Sequence, residues 1–211
     1  DLAPSIAADG TLFLTSNRPA ADGDEHDRLY YTGPGSTMLH VLRPEGASDE
    51  GEGVLTAGES FEAAFVRCYA SGGVGDCDIY LARLQQERLA DVRNPGFPFN
   101  SPEWDSHPSL TADGAAIYFA SERFGGIGGS DIWMSKRGGD GSWSAPVNLG
   151  RTINTPGDEK APRISSGGDT LVFSSDYHDG YGGFDLFRSR GLRDAWSAPV
   201  NLGRPLNSSA D

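Results

Sequence analysis

The chain has 211 residues, with 30 Asp and Glu against 17 Lys and Arg and a formal net charge of −13. That balance opposes binding to nucleic-acid phosphates and to anionic membrane surfaces, and favours cations or basic partners. No apolar run approaches the roughly 20 residues of a membrane helix, and 29 Gly with 13 Pro point to turn-rich β architecture on a chain long enough to bury a core.

Taken in order, the chain predicts four hairpins of one pattern. Each is an aromatic-centred strand, a polar or Gly-rich loop, then Asp and a second strand. The first runs over Thr11–Ser16 and closes at Asp27–Tyr31; the second runs over Ala63–Cys68 and closes at Asp78–Leu81. The third runs over Ala116–Ser121 and closes at Asp131–Met134; the fourth runs over Thr170–Ser175 and closes at Asp185–Arg188. Phe13, Phe65, Phe119 and Phe173 follow one another at intervals of 52, 54 and 54 residues. Two nine-residue stretches, Trp143–Arg151 and Trp196–Arg204, are identical and 53 residues apart. A repeat near 50 residues suits one four-stranded propeller blade.

A short apolar strand and a turn precede each hairpin. Pro4–Gly10 and Pro108–Gly114 both end in Asp-Gly, which supplies the positive φ of a tight turn. Gly167-Gly168-Asp169 does this in the fourth repeat, and Ala57–Ser60 is the weak copy in the second. A fourth strand follows each hairpin, at Met38–Leu42, Leu89–Val92, Pro146–Leu149 and Pro199–Leu202. No stretch has helical periodicity.

The repeat resembles the PD40 or TolB-like propeller family, whose unit reads roughly Pro-Ser-x-Ser-x-Asp-Gly, an aromatic strand ending in Ser, then Gly-Gly-x-Asp-Ile-Tyr. Pro108–Trp133 and Tyr181–Phe187 carry the resemblance most closely; the second repeat departs most, lacking Asp-Gly and Pro. The resemblance implies an all-β propeller, often of six or seven blades, in families that include binding scaffolds, periplasmic accessory proteins and some enzymes. Only four repeats are present here, with blades at about 1–48, 49–103, 104–157 and 158–211 of a single domain. The end, Leu206–Asp211, matches the lead-in Ile153–Asp158, and the start, Asp1–Pro4, matches Glu159–Pro162. Joining the ends continues the repeat in phase, which predicts a four-bladed ring of four antiparallel strands per blade, closed with adjacent termini and no exchanged strand. The absence of an initiator Met and of a leader is what a mature or excised segment would show.

Asp1, Glu50, Asp105 and Glu159 stand five residues before the first-strand apolar residue of each repeat. In a ring they share one mouth of the central channel, where four carboxylates repel one another. Two readings stay open: a bound calcium or magnesium ion, for which hard oxygen ligands suit, or carboxylates that accept N–H bonds from the neighbouring blade. Asp27, Asp78, Asp131 and Asp185 recur once per blade and so predict a shared structural task, bonding the loop backbone before them. Cys68 and Cys77 flank one hairpin loop and predict a disulfide, hence an oxidising compartment, periplasmic or secreted.

Trp104 and His107 flank Asp105 and are candidates to line a ligand funnel. No Ser-His-Asp order, Gly-x-Ser-x-Gly elbow or phosphate loop occurs, and Gly125–Gly129 is a hairpin loop. The expectation is a monomeric, non-catalytic binding module for a protein or a small cationic ligand, without nucleic acid or membrane insertion. Two other readings remain: an enzyme acting on carbohydrate or peptide through Asp105, His107 and a second carboxylate, or a structural scaffold cut from a larger envelope protein.

Overall fold

A computed structural model describes residues 2–6, 10–16, 28–44, 56–57, 62–85, 88–192 and 195–209. Within them every regular element is a strand, no helix occurs, and the strands form four sheets in chain order. Asp1, Glu50 and Asp27 lie outside the described residues.

The first sheet holds β1 (Leu2–Ile6), β2 (Leu12–Ser16), β3 (Arg28–Thr32) and β4 (His40–Val41), each antiparallel to the next. The second holds β5 (Arg43–Pro44), β6 (Thr56–Ala57), β7 (Glu62–Cys68), β8 (Cys77–Gln85) and β9 (Arg88–Arg93), in the order β5-β9-β8-β7-β6. The third is β10 (Asp105–Leu110), β11 (Ala116–Ser121), β12 (Asp131–Lys136) and β13 (Val147–Asn148). The fourth is β14 (Glu159–Ile164), β15 (Thr170–Ser175), β16 (Asp185–Leu192), β17 (Ala195–Trp196) and β18 (Val200–Asn201). The expected four strands per sheet are therefore exceeded twice. β5 adds in parallel to the outer strand β9 as the chain leaves the first sheet, and β17 extends the end of β16 before β18 pairs with the same strand.

The alternation of side chains along each strand places a core on both faces of the second and third sheets. Phe13 and Tyr31 of the first sheet pack with Ala63, Phe65, Tyr80 and Leu89 of the second. The opposite face of the second sheet, Ala64, Val66, Ile79 and Leu81, packs with Leu110, Ile117, Phe119 and Trp133 of the third. Tyr118 and Ile132, on the reverse of the third sheet, meet Ile164, Leu171, Phe173 and Phe187 of the fourth. Neighbouring sheets thus stack face to face. The recurrent aromatic is the centre of each interface: Phe13, Phe65, Phe119 and Phe173 are all among the largest fully buried side chains. Burying one such ring contributes roughly 1.5–3 kcal/mol.

The identical nine-residue stretches serve this stacking. Trp143 pairs through its backbone with Arg137 and meets Phe99 edge-on at 5.8 Å; Trp196 pairs with Gly191 and meets Tyr118 edge-on at 6.0 Å. Arg137 also reaches back to Glu62 on β7, so an ion pair crosses between the second and third sheets.

Candidate functional site

The β7–β8 and β11–β12 hairpin loops lie against the connections that lead into the next sheet, Gly75 against Ser101 and Gly128 against Gly157, and the β15–β16 loop meets Asn201. The closing Asp residues hold these loops. Asp78 accepts from the backbone N–H of Val74 (2.6 Å) and from Asn94 Nδ2 (3.2 Å). Asp131 accepts from Ile127 N–H and from Asn148 Nδ2 (3.0 Å), and Asp185 accepts from Tyr181 N–H and Asn201 Nδ2. Burial pushes the Asp78 carboxyl up, against the opposing effect of these N–H donors. Three copies of one bonding pattern are structural, since a catalytic group would depart from its copies.

A second device escaped the sequence reading. Asn100, Asn154 and Asn207 each grip both backbone polar groups, N–H and C=O, of one residue in the closing strand of a hairpin. Asn154 receives Ile132 N–H (2.8 Å) and donates to Ile132 C=O (3.0 Å), and it donates also to Asn148 Oδ1 (2.9 Å). Asn100 does the same at Ile79 and Asn94, and Asn207 at Leu186 and Asn201. The signal was present as three Asn pairs at a constant spacing of six residues, Asn94/Asn100, Asn148/Asn154 and Asn201/Asn207. Glycine permits the loops to close on these connections. A Cβ at Gly128 would stand 2.2 Å from Gly157 O, and one at Gly75 would stand 2.4 Å from Ser101 O, so only Gly fits.

Of the four predicted channel-mouth carboxylates, two are described, and they turn into their sheets. Asp105 is fully buried. It accepts from Ser101 N–H (2.6 Å), Ser101 Oγ–H (2.8 Å) and the guanidinium of Arg123 (2.7 Å). Glu159, equally buried, accepts from Thr155 N–H (2.7 Å), Thr155 Oγ1–H (2.5 Å) and Ser175 Oγ–H (2.7 Å). Burial pushes its pKa up, against these donors and the nearby His178. Each carboxylate therefore has three protein donors, two of them from the connection that enters its sheet. Among the described residues no group of three His, Cys, Asp or Glu side chains is placed to hold a metal.

Arg123, the partner of Asp105, gave no signal in the sequence. Its guanidinium stacks over Phe119 (4.9 Å) and Trp133 (5.4 Å) and donates to Phe99 O (2.7 Å). In the fourth sheet His178 occupies the corresponding place. Its Nε2 lies 2.9 Å from Ile153 O, and its ring lies against Phe173 and Phe187.

Trp104 and His107 are brought together, with ring centroids 5.3 Å apart and edge-on. His107 occupies the left-handed region (φ 51°), as does Ala161 at the same place in β14 (φ 50°). Both sit at a bulge in the first strand of their sheets. Cys68 and Cys77 form a disulfide across the first pair of residues of the β7–β8 hairpin.

The loop end is rich in exposed aromatic side chains. Phe124 is 99% exposed, Tyr69 79% and Phe97 77%, and Tyr177, Tyr181 and Phe184 are exposed on the β15–β16 loop. The carboxylates of Asp76, Glu122, Asp176 and Asp179 are exposed on the same loops.

No family model and no curated protein matches the sequence. Among solved structures the chain is similar to TolB from Acinetobacter baumannii, with a TM-score of 0.65 and 14% identity over 98% of this chain and 45% of that one. It is similar also to a TolB-like protein from Agrobacterium tumefaciens, with a TM-score of 0.65 and 16% identity over 100% of this chain and 69% of that one. A third is an α-L-arabinofuranosidase from Lactobacillus brevis, with a TM-score of 0.56 and 14% identity over 97% of this chain and 76% of that one. The chain spans less than half the length of the first. These likenesses establish a TolB-like propeller fold, which is shared by proteins with and without catalytic activity and so leaves function to the site.

Proposed function

We propose that this chain is an extracytoplasmic propeller module that binds a polypeptide partner at its loop end, with four blades closed into a ring. The observation that carries the binding role is the set of exposed aromatics on loops that are individually held by Asp and Asn clamps. Aromatic side chains left in water on a rigid frame offer contact area at little ordering cost, the usual anatomy of a binding hot spot. The interspersed carboxylates and the net charge of −13 favour a partner with Lys or Arg around an apolar centre. The Cys68–Cys77 disulfide supports an oxidising compartment.

Closure would extend the face-to-face stacking of consecutive sheets to the fourth and the first. A dye pair on the termini would report adjacent ends in a ring and separated ends in an open arc. The reading assigns no metal to Asp105 or Glu159, because each already has three protein donors.

The binding role is tested by calorimetric titration with a basic, aromatic-containing peptide library. Phe97→Ala with Phe124→Ala should abolish the strongest signals while leaving the unfolding midpoint unchanged. A panel of glycan and peptide substrates run alongside should show no turnover. Hydrolysis of any of them would replace the binding role with the catalytic alternative.

A further inference from the structure

The exposed rings of the loop end fall into two classes. On the β15–β16 loop two of them already carry a cation from this chain. Lys160 Nζ lies 5.3 Å from the centre of the Phe184 ring, and the Arg204 guanidinium lies 5.7 Å from that of Tyr181. Phe97 and Phe124 have neither a cation nor a second ring against them among the described residues. Both are also more exposed than Tyr181 and Phe184.

Arg123 ties these two bare rings to one frame. Phe124 follows it in the chain, and its guanidinium donates to the carbonyls of Pro98 (3.3 Å) and Phe99 (2.7 Å), the two residues after Phe97. The charge of Arg123 is itself compensated by Asp105 at 2.7 Å. Burial continues to alternate beyond the end of β11, with Ser121 and Arg123 buried and Glu122 and Phe124 exposed. Glu122 therefore stands on the same side of the chain as Phe124. Its backbone N–H donates to the Trp104 carbonyl (3.0 Å), and its carboxylate has no ion pair among the described residues.

The face of an aromatic ring attracts a cation, and a free carboxylate beside it adds a second attraction. The fourth sheet satisfies two of its rings internally, whereas the third leaves rings and an acid open to solvent. Their complement is a permanent cation on an apolar stem, whose methylenes cover the rings while the head reaches the carboxylate. That is the chemistry of a Lys or Arg side chain.

We propose that Phe97, Phe124 and Glu122 form the seat for a Lys or Arg side chain of the polypeptide partner, and that Lys160 and Arg204 close the Phe184 and Tyr181 rings to it. This rests on the loop end being a polypeptide-binding surface; it adds which side chain that surface selects and which residues select it.

Calorimetric titration of the whole chain uses two acetylated, amidated peptides. One is Ala-Trp-Arg-Arg-Trp-Ala, and the other carries citrulline in place of both arginines, which keeps the shape and removes the charge. The arginine peptide should bind about fivefold or more tightly. Glu122→Gln, and Phe124→Leu, which keeps apolar bulk but loses the ring face, should each weaken it by about two- to fivefold and leave the citrulline peptide nearly unchanged. Both positions are exposed, so the unfolding midpoint should not move. Lys160→Gln with Arg204→Gln should strengthen the arginine peptide by about twofold, by freeing two further rings. Arg83→Gln with Arg93→Gln remove the same charge from the second sheet and should not. If neither peptide binds, the loop-end reading fails and the seat fails with it. If both bind alike and weaken alike in Phe124→Leu, the loop end still takes polypeptide but the cation seat is overturned. An arginine peptide indifferent to Glu122→Gln overturns it too, as does an equal gain in the two pairs of Arg and Lys substitutions.

Discussion

The third and fourth sheets solve one problem with different chemistry. Each must hold a fully buried carboxylate where its first strand enters, and each backs it with a cationic or titratable side chain resting on the central aromatics. The third uses the shorter Asp105 with the long reach of Arg123, in a direct ion pair. The fourth uses the longer Glu159 with Ser175 and Thr155, while His178 bonds the Ile153 carbonyl. Side-chain length is traded between acid and base while the strand register is kept, with Asp105 opposite Ser121 and Glu159 opposite Ser175. The difference lies in the partner: the guanidinium pairs directly with Asp105, whereas the imidazole bonds a backbone carbonyl. The third sheet therefore depends on a fixed ion pair, and the fourth on hydroxyl and amide donors.

The sharpest way to break this comparison is Arg123→Ala. It strands Asp105 in a site with 0% exposure, and losing one partner of a buried pair costs about 3–5 kcal/mol. His178→Ala removes a hydrogen bond and ring packing without orphaning a charge, and should cost about 1–3 kcal/mol. Urea denaturation midpoints compare the two directly. Equal losses would mean that the Asp105–Arg123 pair contributes nothing beyond packing.

Next in size is the asparagine clamp. Asn154→Ala leaves the Ile132 N–H unsatisfied in the interior, while the Ile132 carbonyl keeps the Leu149 N–H, and should cost about 2–3 kcal/mol. Asn207 clamps the fourth sheet where its bonds are only partly buried, so Asn207→Ala should cost about 1–2 kcal/mol because water can replace it. Identical costs in chemical denaturation would show that burial does not separate the two sheets.

The second sheet adds a contrast, since a disulfide joins the mouth of its hairpin loop where the third and fourth sheets have none. Cys68 and Cys77 are nine residues apart, and closing so short a loop contributes about 2–3 kcal/mol. Thermal melts with and without reductant should differ accordingly, and Cys68→Ser with Cys77→Ser should melt like the reduced protein.

The smallest expected effect is pH dependence, in which two groups act with opposite sign. His107 has its pKa lowered from 6.5 to about 4. Its contribution to stability is present above 6.5 and is lost as pH falls toward 4, because the unfolded chain takes up a proton that the folded one refuses. Glu159 has its pKa raised above 4.5. Its contribution is present below 4.5 and is lost as pH rises through the folded value. Stability measured from pH 4 to 7 should lose its acid-side decline in His107→Asn. In Glu159→Gln the decline should steepen, because the opposing term is gone. An unchanged curve in both variants would refute the assignment.

Much of the fold was legible in the residues. The spacing of Phe13, Phe65, Phe119 and Phe173 marked the centres of the interfaces, and the described closing residues Asp78, Asp131 and Asp185 clamp their loops as the repeat predicts. The disulfide followed from two Cys facing across a short hairpin. The candidate site was legible only in part. Counting back from the first-strand apolar residue found Asp105 and Glu159 at equivalent positions, but counting cannot say which way a side chain turns. Arg123 and His178 left no periodic trace, because each does its work in a single sheet.

Periodicity in the chain by itself determined the strands, their repeat and the residues at the centre of each core, since burial of alternate faces must be written into every copy. Tertiary structure alone decided that Asp105 and Glu159 point inward to local donors and that the first strands of the third and fourth sheets meet, with Ile164 N–H bonded to Ser109 Oγ. Such pairings join residues that are tens of positions apart, and their orientation depends on packing rather than on local sequence.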